Sequence, residues 1–88
     1  MEEKLQEVRS KITPHLQEIN IIVDNVEYVE EGSYKFLRIT LDKVNGIDLD
    51  TIVEATNIIN PIIDELDFVD ESFILDVISK EKGSGNNG

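Results

Sequence analysis

Residues 26–50, from Val26 to Asp50, read V-E-Y-V-E-E-G-S-Y-K-F-L-R-I-T-L-D-K-V-N-G-I-D-L-D, and this stretch decides the fold. Two strand-like runs meet at a glycine turn, and a helix start follows the second. The first run extends back to Ile21 and on to Glu30, rich in β-branched residues and bounded by turn signals. Within it, side-chain alternation puts Val26 and Tyr28 on one face, Glu27 and Val29 on the other. Glu31-Gly32-Ser33 supplies the turn, with Gly32 free to take a positive φ. In the second run, Tyr34 to Asp42, Leu37, Ile39 and Leu41 point one way, and Arg38, Thr40 and Asp42 the other. That pattern predicts a sheet with one buried face and one wetter face, with Phe36 on the wetter side. Beyond Gly46, Asp48 is placed to cap a helix by accepting its orphan amides, and Asp50 adds negative charge at the positive helix end.

Upstream, Leu5, Val8, Ile12 and Leu16 recur at helical spacing and form one apolar stripe on a helix from about Glu2 to Glu18. Pro14 interrupts it and predicts a bend or a break, because proline lacks the amide that bonds the preceding turn. Downstream, Ile52, Ala55, Ile59, Ile62 and Leu66 define a second helical face, widened by Leu49, Val53, Thr56 and Ile63. Pro61 predicts a kink or an end of the regular ladder near Asn57. Phe73, Leu75 and Val77 alternate with Ile74, Asp76 and Ile78 in a third strand. Its faces are both mostly apolar, which suits a central strand or one with a face against something outside the domain.

The order helix, strand, strand, helix, strand predicts an α+β fold, a two-layer α-β-β-α-β domain with both helices packed on one face of a three-stranded mixed sheet. Strand three lies either beside strand two, with a right-handed return, or beside strand one. The domain is expected over 1–80, with a flexible polar tail over 81–88.

The 88 residues carry 19 acids against 8 bases, a net charge of −11. That balance disfavours the phosphate attraction behind most nucleic-acid affinity, so direct RNA binding is expected to be weak or absent. Between Lys43 and Lys80 there is no base, but there are nine acids: Asp48, Asp50, Glu54, Asp64, Glu65, Asp67, Asp70, Glu71 and Asp76. They read either as a solvated face or as a surface that attracts a basic protein. Cysteine is absent, which excludes disulfides and thiolate metal sites. Apolar runs such as Ile21-Ile22-Val23 are far too short to span a bilayer, and the expectation is a soluble cytoplasmic protein.

No catalytic constellation is visible. The tail spells G-x-G-x-x-G but lacks the helix and strand that a dinucleotide site needs after it. His15 could share a helix face with Glu18, yet no further His or Cys completes a metal site. Ser10 lies near His15 in sequence without any sign of a nucleophile–base pair. The acidic run 64–71 has oxygen ligands but not the glycine and alternating pattern of a calcium loop, and reads as a solvated helix exit. Lys35, Arg38 and Lys43 form a small basic cluster, in which Arg38 is expected to pair with Glu27 across the strands. The G-x-x-G loop of a KH domain has no counterpart between the elements. No enzyme, cofactor, metal site, small-molecule substrate or membrane is therefore expected.

Val26-Glu27-Tyr28-Val29, Leu37-Arg38-Ile39-Thr40-Leu41-Asp42-Lys43 and Gly46-Ile47-Asp48-Leu49-Asp50, in this order, resemble the amino-terminal domain of the RimP family, bacterial ribosome maturation factors. Ile74-Leu75-Asp76-Val77-Ile78-Ser79 is similar to that family's L-E-V-S-S-P-G segment. Here Asp76 replaces the usual glutamate, and Lys80-Glu81 replaces the serine-proline-glycine exit. Family members carry a second domain, a small Sm-like β-barrel, and the resemblance spans roughly Leu5 to Ser79. It implies a non-catalytic factor that binds the immature small ribosomal subunit, or a basic small-subunit ribosomal protein. Glu27, Arg38, Asp42 and Asp50 are the expected contact residues, because they match the motif and should face solvent. The alternative is a generic acidic interaction module, dimerising through the apolar third strand.

Overall fold

The computed structural model describes residues 1–80; the tail expected over 81–88, with its glycine motif, lies outside the described residues. The elements are α1 (Glu2–Gln17), β1 (Ile22–Glu31), β2 (Tyr34–Asp42), α2 (Leu49–Leu66) and β3 (Ile74–Ser79). They form the two-layer α+β arrangement that the periodicities predict. The sheet order is β1-β2-β3, with β1 antiparallel and β3 parallel to the central β2. Strand three is thus an edge strand beside β2, neither central nor next to β1. Leu75 and Val77 pack toward the helices, while Ile74 and Ile78 stand 45% and 38% exposed on the uncovered face.

One buried layer unites the elements. Val8, Ile12 and Leu16 of α1 and Ala55, Ile59 and Ile63 of α2 close over Val23, Val26, Leu37, Ile39 and Leu41 of the sheet. Ile21 and Phe68 complete this layer from the connections. The α2 stripe is narrower than the sequence pattern predicts. Leu49 and Val53 are 75% and 51% exposed, because α2 turns them away from the sheet during its first turns.

Both prolines sit inside unbroken helices. Pro14 removes the bond to the Ser10 carbonyl and Pro61 the bond to that of Asn57, yet neither ends its ladder. The reason is tertiary. Leu16 beyond Pro14 and Ile63 beyond Pro61 are buried in the common core, and burial of side chains this size outweighs one lost hydrogen bond. At the end of α1, Ile21 N–H reaches back to Leu16 O (3.0 Å) and Asn20 N–H to Gln17 O (3.0 Å), with Asn20 at φ 64°. This is a Schellman closure, and its apolar pair is Leu16 with Ile21.

The register slips between Val23 and Asn25, which makes Asp24 a bulge residue. Val23 and Val26, three positions apart, could not both face the helices in a regular strand; the extra residue allows it. Arg9 of α1 donates to the Val23 carbonyl (2.9 Å) and the Asp24 carbonyl (3.3 Å), satisfying acceptors that the disrupted ladder leaves open.

The hairpin turns on Gly32 and Ser33, with positive φ at Gly32 (63°), the first of the two turn residues, as a type II′ turn requires. Asp48 caps α2: its Oδ1 accepts from the Thr51 amide (2.9 Å) and the Thr51 hydroxyl (2.7 Å). Those bonds from Thr51 hold the Asp48 carboxyl below its ordinary pKa. A depressed carboxyl stabilises the fold above its unfolded pKa, and that contribution is lost as pH falls through the folded value. Asp48→Ala should therefore lower the melting temperature by a few degrees at neutral pH and much less in acid, whereas Asp48→Ser should keep most of it. Thermal melts at the two pH values check this.

Candidate functional site

The helices leave one face of the sheet uncovered. Its rows follow from the register: Glu27 opposite Arg38 and Val29 opposite Phe36 between β1 and β2, then Phe36 beside Ile74 and Arg38 beside Asp76 between β2 and β3. Arg38 is the hub. Its Nε donates to Asp76 Oδ2 at 2.8 Å, its Nη2 lies 3.4 Å from Glu31 Oε2, and its guanidinium carbon is 5.7 Å from the Phe36 ring centroid. The bond to Asp76 raises the Arg38 pKa above its ordinary value, with Glu31 adding to it. The expected Glu27–Arg38 ion pair does not form. The two residues are cross-strand neighbours, but Arg38 extends toward β3 and along β1 to Glu31. Asp76 is closer and better aligned, and a half-buried guanidinium binds the carboxylate it can reach with least bending.

A second cluster lies at the hairpin end of the helix-facing side. The Tyr28, Phe68 and Phe73 rings pack edge to face, with centroids 5.3, 6.4 and 5.5 Å apart for the three pairs. Tyr28 Oη donates to Glu71 Oε2 (2.8 Å), and Lys35 Nζ to Glu71 Oε1 (3.0 Å). The Tyr28 hydroxyl and the Lys35 ammonium hold the Glu71 carboxyl below its ordinary pKa. Burial among the rings, then the bond to Glu71, pushes the Tyr28 phenol up to about 12. A phenol whose folded pKa is raised stabilises the fold fully below its unfolded value of about 10 and loses that contribution as pH climbs to the folded one. Stability should therefore decline between pH 10 and about 12, with a shallower slope in Tyr28→Phe, measured by urea unfolding across that window. Glu71, expected as part of a solvated helix exit, is exposed but also ties the α2–β3 connection to the hairpin.

The four expected contact residues divide between two layers. Glu27, Arg38 and Asp42 lie on the uncovered face, Glu27 directly opposite Arg38 and Asp42 two steps along β2 from Thr40. Asp42 Oδ1 accepts the Lys43 amide at 2.8 Å. Asp50 lies in the exposed first turn of α2, in the helix layer. Asp76 and Glu31, which complete the Arg38 arrangement, are not among the expected contact residues. Asp76 could have been found only by knowing that β3 runs parallel beside β2.

Among the described residues no group of three or more His, Cys, Asp or Glu is placed to hold a metal ion, and no helix is long and apolar enough to cross a membrane. His15 stands exposed in the last turn of α1. What the uncovered face offers chemically is a mixed surface: carboxylates at Glu27, Glu31 and Asp42, with apolar Val29, Phe36, Ile74 and Ile78 between them. Apolar patches rimmed by charge are the usual make-up of a protein-binding surface. Compared with known families, residues 5–80 match the model of the RimP N-terminal domain, which is most of the 88-residue chain.

Proposed function

The chain belongs to the RimP N-terminal domain family, a family of non-catalytic ribosome maturation factors, and from that premise we propose that it assists assembly of the small ribosomal subunit in the cytoplasm. It does so by binding: it holds a basic small-subunit ribosomal protein, alone or on the immature subunit, and eases its incorporation. The family match over residues 5–80 carries this reading. The net charge of −11 supports the choice of a basic protein over bare RNA, because a surface this acidic repels phosphate and draws in cations. Glu27, Arg38 and Asp42 are the contact positions on the uncovered sheet face, and Asp50 extends the acidic surface at the start of α2. Residues 1–80 act as the binding unit.

The test is capture of extracted small-subunit proteins by the immobilised chain at low and moderate salt. Selective, saturable capture of one protein that survives moderate salt is the expected result. Indiscriminate capture that disappears with salt would reduce the surface to general acidity and overturn the reading. The double variant Glu27→Ala, Asp42→Ala should weaken the captured protein's affinity by roughly tenfold, mostly through the association rate. Unchanged affinity, read by titration calorimetry, removes those two positions from the contact.

A further inference from the structure

Edge strands of natural sheets are blunted by lysine, proline, a bulge or a covering element. β3, I-L-D-V-I-S, has no lysine, proline or bulge, and no described element pairs with its outer side; an inward-pointing charge is its one such device. Its one charge, Asp76, is turned inward to Arg38 at 2.8 Å. The Lys80 amide donates to Leu41 O of β2 at 2.7 Å. By the alternation of backbone direction along a strand, the amides and carbonyls of Leu75, Val77 and Ser79 therefore point away from the sheet. None of the three has a hydrogen-bond partner among the described residues. Beside this edge, on the helix side, a groove of about 310 Å³ runs between α2 and β3, lined by Ile63, Asp64, Glu71, Phe73 and Leu75 among others. Glu71 is engaged by Tyr28 and Lys35. The Asp64 carboxylate is exposed, with no hydrogen bond or ion pair to any described side chain.

We propose that the outer edge of β3 and the adjoining α2–β3 groove take an extended basic segment of a protein partner by strand addition. The segment's backbone pairs with Leu75, Val77 and Ser79, and every second side chain turns over the groove. A lysine or arginine there lays its aliphatic stem on Ile63 and Leu75 and places its charge at Asp64. The side chains between them lie on the uncovered face beside Ile74 and Ile78. Charge complementarity selects this occupant over a second copy. Two chains of net charge −11 would meet edge to edge with Asp64 of each beside the contact, whereas a cationic strand is drawn to the same groove. That the segment belongs to a ribosomal protein rests on the function proposed above; the edge and groove geometry does not.

The experiment has two arms. In the first, a short peptide alternating lysine with valine is added to the full chain, and amide hydrogen exchange is followed residue by residue. Exchange at Leu75, Val77 and Ser79 should slow by roughly tenfold or more at saturation. The same peptide with alternate backbone nitrogens methylated, equal in charge but without the donors for the edge, should bind roughly tenfold more weakly. Equal binding of both peptides, or protection elsewhere than β3, overturns the proposal. So does β3 protection that rises with chain concentration without peptide, since the occupant is then a second copy.

In the second arm, capture of extracted small-subunit proteins is compared for the wild type, Val77→Pro and Asp64→Lys. Val77 directs its amide outward, so proline there removes no ladder bond; Asp64→Lys alters only an exposed position and stands in should the proline variant not fold. Loss of roughly tenfold or more in capture for either folded variant supports the proposal. Equal capture by all three forms overturns strand addition and leaves the proposed function intact. No capture by the wild type overturns the proposed function, and with it the ribosomal segment as occupant.

Discussion

Replacing Ile39 by alanine should cost about 3 kcal/mol of stability and shift the unfolding equilibrium by roughly a hundredfold. Ile39 is the middle of the central strand, fully buried, with Val26 of β1 and Val77 of β3 as its register neighbours. Truncation there removes three methyl or methylene groups from the middle of the central strand, within the buried layer that both helices share. Its neighbours Val26 and Val77 are held by the strand ladders, so the site collapses only in part and the residual cavity adds to the lost transfer energy. A chain this short has only about 4–12 kcal/mol to lose. Urea unfolding should show a lower midpoint with an unchanged slope, and Ile39→Val should lose only about 1 kcal/mol. A loss for Ile39→Ala below about 1 kcal/mol would mean that β2 does not carry the core.

Phe68→Ala should be comparably damaging, at about 3–5 kcal/mol. Phe68 follows directly on Asp67, whose left-handed backbone (φ 52°) ends α2. It is buried to 4% exposure and touches Tyr28 and Phe73 edge to face. Its ring therefore locks the exit of α2 against β1 and the approach to β3, and Lys4 Nζ fastens the same point to α1 by donating to the Phe68 carbonyl (3.0 Å). Loss of the ring removes two aromatic pairs as well as the buried area. The variant has a spectroscopic signature that a plain core mutation lacks. With the ring gone, water reaches Tyr28, and its phenol should titrate back from about 12 toward the ordinary tyrosine range, read by ultraviolet absorbance against pH. Phe68→Leu should keep most of the stability and still show part of that shift.

These two positions differ in how visible they are beforehand. Ile39 belongs to the alternation Leu37, Ile39, Leu41, which any half-buried strand displays, so its burial is legible from spacing alone. Phe68 stands in an acidic connection, D-E-L-D-F-V-D-E, that reads as a solvated helix exit. Only the fold brings Tyr28 and Phe73, 40 residues upstream and five downstream, to the two sides of its ring. The same division runs through the candidate site. That Glu27, Arg38 and Asp42 share one uncovered face follows from period two. That Arg38 turns to Asp76 and Glu31 instead of Glu27 does not, because it depends on which strand lies next to β2.

The sequence by itself determined what is local. Periodicity set the element types and their inward faces, Gly32 set the hairpin turn, Asp48 the start of α2, and charge counting the acidity of the chain. These follow from backbone geometry and from side chains within one turn or one strand of each other. The tertiary structure alone decided that β3 is an open parallel edge, that Asp24 bulges so that Val23 and Val26 both reach the core, and that α1 and α2 run on through Pro14 and Pro61. Each is an outcome of competition between a local preference and burial in a shared core. A lost helix bond or an interrupted ladder costs a few kcal/mol at most where it stands, and side chains from distant parts of the chain offset it only once the layers have closed.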